Sequence, residues 1–281
     1  MYVAKLNCIQ FNLFHFEGTA RENLMGFNGV IQNIGGIVFQ MLGGVLCTVN
    51  WKNTFLVYLL GVIPLIIVIF LLPEPPKIEK AKYEKIKMPA MVYVWAIIIL
   101  IYTIVLYPML TGISSLVIHN NLGTAAGAAL VLTMFTVGGM VSGAIFGKVF
   151  HIVKRLTFGI GLIIHVVGYI FLIYGNSLTA FTIGSTIVGI GFMLSFTAVI
   201  MFVGMLVTPS GTTFAISIVM AFMSIGGFIS GFFFSFIESI FKITYMRFPF
   251  VLGVICLSIS GIIYIMLNLK RTNTQGSSVS E

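Results

Sequence analysis

Uncharged apolar runs recur along this chain with polar breaks between them: 24–49, 54–72, 91–112, 124–147, 156–174, 178–207, 212–237 and 248–269. A hydrocarbon core about 30 Å thick is crossed by roughly 20 helical residues, so each run is long enough to span it. The stretch 156–237 holds no Asp, Glu, Lys or Arg, which is too long and apolar for the core of a soluble domain. Lipid offers no hydrogen bonds to the backbone, so the spans must be helices or strands of a closed barrel. Barrel strands alternate apolar and polar residues, and these runs do not. The pattern predicts an all-α integral membrane fold with about eight transmembrane helices.

Composition agrees, with 59% hydrophobic and 8% charged residues among 281. The net charge of +8 matters through its distribution. An even number of spans puts both ends on one side. That side then carries Lys5, Arg21, the five lysines of 77–87, Lys148, Lys154, Arg155, Lys270 and Arg271, leaving Lys52, Lys242 and Arg247 opposite. Lys and Arg favour cytoplasmic loops, so both termini are expected in the cytoplasm. No basic patch with interleaved aromatics points to nucleic acid. Cys8, Cys47 and Cys256 are too scattered for a disulfide framework or a close-spaced metal site, and no cofactor is implied. The opening residues lack the order of a cleavable signal.

The breaks divide the chain into a cytoplasmic segment 1–22, a two-span unit 23–72, a linker 73–90, a six-span unit 91–269 and a tail 270–281. The linker is rich in proline, lysine and glutamate, a solvated composition, and the polar tail is expected to be disordered.

On the first span, Gly29, Gly36, Gly43 and Gly44 share a helical sector about 100° wide with Gln32, Asn33 and Gln40. Such a stripe fits two readings, a close-packed seam with satisfied amides or a contact with substrate. Gly139, Gly143 and Gly147 on the fourth span, and Ser217, Ser224, Gly231 and Ser235 with Gly227 on the seventh, read as close-packing surfaces that could also slide or gate. His165 is the one ionisable side chain of the Asp, Glu, Lys, Arg and His set within a span. It fits a structural bond to a neighbouring helix or a role with protons or solute. Tyr102, Tyr107, Phe192 and Ser195 could line a cavity for an amphipathic ligand or simply meet lipid. No convergent reactive groups appear at one depth, so no catalytic residues are expected and the chain does not read as an enzyme. Neither a ring of charge nor a filter-like carbonyl motif suggests a channel.

Several of these residues resemble motifs of the major facilitator superfamily of secondary transporters. Gly26, Gly35, Gly43 and Gly44 match the glycine spacing often found on the family's fifth helix, with Phe39 and Gln40 where Gly-Pro would stand. Trp51-Lys52-Asn53-Thr54-Phe55 resembles its Trp-Arg-x-x-Phe before the sixth helix, and Leu72-Pro73-Glu74 resembles that helix's end. Gly143, Gly147, Lys148, Lys154 and Arg155 are similar to a degraded copy of its cytoplasmic glycine-rich basic loop.

The resemblance implies a chain corresponding to helices five to twelve, N-terminally truncated, with 91–269 as the complete C-terminal half. It implies movement of a small solute by alternating access across the lipid bilayer, coupled to protons or to another solute in the family's usual manner, and location in the plasma membrane. Implied cavity residues are Gln32, Asn33, Gln40, Tyr102, Tyr107, Phe192, Ser195 and Ser224. Gly26, Gly35, Gly36, Gly43, Gly44, Gly139, Gly143, Gly147, Gly227 and Gly231 would serve packing and gating. Lys148, Lys154 and Arg155 would form the cytoplasmic basic loop. The alternative is a transport-incompetent fragment or a partner subunit of such a transporter.

Overall fold

The computed structural model describes residues 18–62, 65–66, 70, 88–242 and 245–277, with side chains for 33–62, 65–66, 70, 88–208, 211–242 and 245–268. Helix α1 is Gly18–Val49, followed by a 3-10 helix at Trp51–Gly61. Then come α2 (Ala90–His119), α3 (Ala125–Val153), α4 (Thr157–Tyr174), α5 (Leu178–Leu206), α6 (Pro209–Phe241) and α7 (Phe248–Ser277). No strand occurs among the described residues, and the protein is an all-α membrane protein. Five stretches of the described residues are long and apolar enough to cross a bilayer, and one of them, Ala125–Tyr174, contains both α3 and α4.

The six runs from 91 to 269 each fall on one helix, because uninterrupted apolar residues leave the backbone no partner but itself. The helices stop where turn chemistry appears. Asn120 Nδ2 bonds the Leu116 carbonyl at 2.9 Å, and Asn121 then adopts φ 54°, a left-handed conformation that asparagine tolerates better than most residues. Ser177 caps α5 by accepting from the Ala180 N–H at 3.2 Å. Between α3 and α4 the turn Lys154–Leu156 is held by Thr157 Oγ1 donating to the Lys154 carbonyl at 2.7 Å.

Three expectations differ from what is found. The second run begins as a 3-10 helix at Trp51–Gly61, started by Asn50 accepting from the Lys52 N–H at 3.0 Å; residues 63–64, 67–69 and 71–87, which include most of the linker, lie outside the described residues. Helix α1 is already formed at Gly18, ahead of the apolar run, and residues 1–17 are outside the description. The tail is helical to Ser277, not disordered from residue 270. It contains no proline, and its polar residues tolerate a helix.

Helix α5 sits between α3 and α4, and the contacts that fix it are made by small residues. Against antiparallel α4, Gly161 opposes Gly191 and Gly168 opposes Gly184, one heptad apart on each helix. A Cβ at Gly168 would lie 2.7 Å from the Val188 nitrogen and 2.8 Å from the Gly184 carbonyl oxygen, so the two backbones are in contact. Against α3, Gly138 meets the Thr186 carbonyl, Gly189 meets the Phe135 carbonyl, and Ser185 Oγ donates to the Val131 carbonyl at 2.6 Å. Apolar helices gain nothing by leaving lipid for one another, so this close approach supplies the dispersion contacts that hold them together.

At the end of the bundle near Arg155, Trp95 of α2 packs against Phe158 of α4 at 5.4 Å, Phe202 of α5 at 5.2 Å and Tyr264 of α7 at 6.2 Å. Tyr264 also donates to the Arg155 carbonyl at 3.0 Å. At the other end Arg247 donates to the Ile173 carbonyl and to Asn176 Oδ1, tying α7 to the α4–α5 turn.

The glycines expected to pack do so unevenly. Gly139 makes ordinary contact with Met193 at 3.8 Å and Gly43 with Thr54 at 3.6 Å, while Gly35, Gly36, Gly143, Gly147 and Gly231 face open space. Gly26 lies on α1 outside the described side chains. A Gly168→Leu substitution therefore forces α4 from α5 and is expected to cost about 3 kcal/mol or more, collapsing the melting transition in detergent. Gly143→Ala, in open space, should melt at or slightly above the wild-type temperature.

Candidate functional site

Among the described residues, three polar places hold the expected site residues or lie next to them. The first is the seam between α1 and α3. Gln40, half-buried, accepts from Thr136 Oγ1 at 3.3 Å, and a Cβ at Gly44 would strike the Ala129 side chain. Asn33 is also half-buried and hydrogen-bonded or otherwise partnered. Gln32 lies outside the described side chains. The amide stripe thus serves at least partly as a seam, with Thr136 as a partner that the first span's sequence could not name. Beyond α1, Trp51 and Phe55 of the Trp-Lys-x-x-Phe motif meet edge to face at 6.3 Å, and the Lys52 ammonium lies 5.8 Å from the Trp51 ring centre.

The second place is a fully enclosed cluster among α2, α4 and α5. His165 Nδ1 and the Tyr102 hydroxyl are hydrogen-bonded at 2.8 Å, and the Tyr169 ring meets the imidazole edge to face at 4.4 Å. Tyr169 donates to the Val105 carbonyl at 2.8 Å, and Ser195 donates to the Phe158 carbonyl at 3.2 Å. His165 Nε2 has no partner among the described groups. Tyr102 and Ser195 were expected to line a cavity, yet they are 3% and 0% exposed and bind helix to helix. Phe192 is half-buried, between Phe135 at 5.9 Å, Phe196 at 5.8 Å and Tyr102 at 5.8 Å.

The third place is built on a proline. Pro108 lies inside α2, has no N–H, and so leaves the Ile104 carbonyl without its helical donor. Ser230 of the parallel helix α6 supplies that donor, its Oγ bonding the Ile104 oxygen at 2.7 Å. Gly226 lets α6 approach the Leu100 carbonyl, and Gly227 receives the Tyr107 ring, whose Cε2 lies 2.6 Å from where a Cβ would be. Tyr107 therefore packs into α6 and is half-buried. Of the face formed by Gly227 with Ser217, Ser224, Gly231 and Ser235, Gly227 alone lies against Tyr107, and the other four are exposed. Ser217 and Ser224 bond back to the Thr213 and Met220 carbonyls of their own helix, at 2.9 and 3.0 Å. The face that packs is offset from the expected stripe and runs through Gly226, Gly227 and Ser230.

Just beyond Pro108 the helices part, leaving a cleft of about 340 Å3 bordered by Thr111, Ser115, Ser230, Ser235 and Glu238, and by Pro249 at the start of α7. Glu238 was not among the expected site residues because it falls one residue past the apolar run; α6 continues through it to Phe241. The proline within a span was the available sign, since it marks a carbonyl that another helix must satisfy. Lys148, Lys154 and Arg155 are exposed at the opposite end of the bundle.

Six long apolar helices with buried polar bonds between them define a polytopic membrane protein. The family model of the Major Facilitator Superfamily matches residues 14–231. With most of its length matched, the chain belongs to this superfamily of membrane transporters. No curated protein matches it.

The proline and serine act as a pair. Ser230→Ala alone strands the Ile104 carbonyl and should cost about 1 kcal/mol. In a Pro108→Ala background, where the alanine N–H restores the helical bond, the same change should be nearly neutral. A double-mutant cycle of unfolding in mixed micelles checks this, and equal costs in both backgrounds would refute the pairing.

Proposed function

We propose that the protein moves a small solute by alternating access, with α1 and the facing bundle α2–α7 shifting against each other at the α1–α3 seam. The observation that carries this reading is the seam itself, where small residues and the side-chain bond between Gln40 and Thr136 join the helices. A contact of that kind can rearrange at low cost, whereas the backbone contacts of α4 with α5 cannot. In this reading Gln40, Asn33 and Ser224 meet the solute path, and Tyr102, Ser195 and His165 brace the bundle that surrounds it. Membership in the transporter superfamily supports the same reading.

The end bearing Lys148, Lys154 and Arg155 faces the cytoplasm, an orientation supported by the bias of basic residues toward it. The plasma membrane is the proposed location.

Two experiments check these proposals. With Cys47 and Cys256 replaced by serine and Cys8 by alanine, the pair Gln40→Cys and Thr136→Cys is oxidised in proteoliposomes and counterflow is screened across a panel of labelled sugars, amino acids and organic ions. Cross-linking should reduce uptake at least tenfold and a reductant should restore it; unchanged uptake in the cross-linked protein would remove the seam from the mechanism. For orientation, an impermeant thiol reagent applied to intact cells should label Lys242→Cys and spare Lys154→Cys until the cells are opened.

A further inference from the structure

We propose that the cleft at Glu238 binds a small monovalent cation, either an inorganic ion such as Na+ or the primary ammonium group of an amine. Glu238 is the one acidic residue between positions 88 and 277, and it is half-buried in the cleft wall. Thr111 of α2, on the facing wall of the cleft, has its hydroxyl already committed as a donor on one side. It donates to the Tyr107 carbonyl at 3.0 Å, so it has only lone pairs left to offer. Ser115 and Ser235 add two further oxygens. Helix α6 also ends here, and the negative end of its dipole favours a positive charge.

No basic side chain among the described residues pairs with Glu238. Lys242, one turn further on, is exposed at the helix end, and Arg247 is held by Ile173, Asn176 and the Phe181 ring. One carboxylate among neutral oxygens balances one charge, whereas divalent ions favour more carboxylates or rigid octahedral shells. Phe234, Phe250 and Leu116 close the apolar side of the cleft, where weaker screening strengthens the attraction. The site lies away from the α1–α3 seam and does not depend on how that seam moves.

Binding is tested on the full chain in nanodiscs by thermal melting in NaCl, methylammonium chloride and tetramethylammonium chloride at equal ionic strength. At cation concentrations about ten times the dissociation constant, NaCl or methylammonium should raise the midpoint by about 2–4 °C over tetramethylammonium, which is too large and has no N–H. A response to NaCl alone assigns an inorganic ion, and a response to methylammonium alone assigns an amine. Glu238→Gln should abolish the shift, Ser115→Ala with Ser235→Ala should weaken apparent affinity about tenfold, and Lys242→Ala should retain it. Equal melting of the unaltered protein in all three salts overturns the proposal, as does an undiminished shift in Glu238→Gln. Should Glu238→Gln fail to fold, the serine double variant decides: unchanged affinity there also overturns it.

Discussion

The contact on which the remaining architecture depends is the antiparallel approach of α4 to α5 through Gly161, Gly168, Gly184 and Gly191. In water, burying leucine against leucine would drive two helices together, but in lipid that exchange is nearly neutral. Backbone proximity has to supply the attraction instead, and it is available only where side chains are absent. With α5 drawn onto α4 on one side and onto α3 on the other, its remaining surface presents Phe192 and Ser195 toward α2 and α4. The His165 cluster is the polar consequence: once the helices are this close, Tyr102 bonds the imidazole Nδ1 and Tyr169 bonds a carbonyl of α2, while Nε2 is left without a partner among the described groups.

Four buried hydroxyls in this bundle work as inter-helix ties. Tyr169 reaches a carbonyl of α2, Ser185 a carbonyl of α3, Ser195 a carbonyl of α4 and Ser230 a carbonyl of α2. Each is a hydroxyl on one helix bonded to the backbone of another, which a membrane interior rewards because the acceptor has a second lone pair to share. The Pro108 site differs in kind, since there the acceptor has lost its own helical partner and Ser230 replaces it. The seam of α1 with α3 contrasts with all of these, being small-residue and side-chain to side-chain in character.

The six spans from 91 to 269 and their order were legible in the sequence, because length and the lack of charge are sufficient to place a helix in lipid. Which side of each helix packs was far less so. Glycines spaced by four, such as 139, 143 and 147, suggest a packing face, yet Gly143 and Gly147 face open space and the contacts fall on Gly138 and on the heptad-spaced pairs of α4 and α5. Spacing on one helix cannot specify its partner's register. The aromatic and hydroxyl residues expected around a cavity showed the same limit: Tyr102 and Ser195 are buried because His165 and the Phe158 carbonyl lie opposite them, information carried by other helices. Glu238 was hidden for a simpler reason, that helix α6 runs past the point where hydropathy ends.

The bond from Ser230 to the Ile104 carbonyl also bears on how the protein is made. Ribosomes deliver α2 to the membrane well before α6 has been synthesised, so throughout that interval the carbonyl released by Pro108 lacks its eventual donor. A helix with an unmet acceptor at its middle resists free release into hydrocarbon, and the nascent α2 is best accommodated beside the wet, protein-lined path of the insertion machinery until α6 emerges. Assembly of this bundle is thereby tied to chain order, with α6 completing a bond that α2 has been holding open.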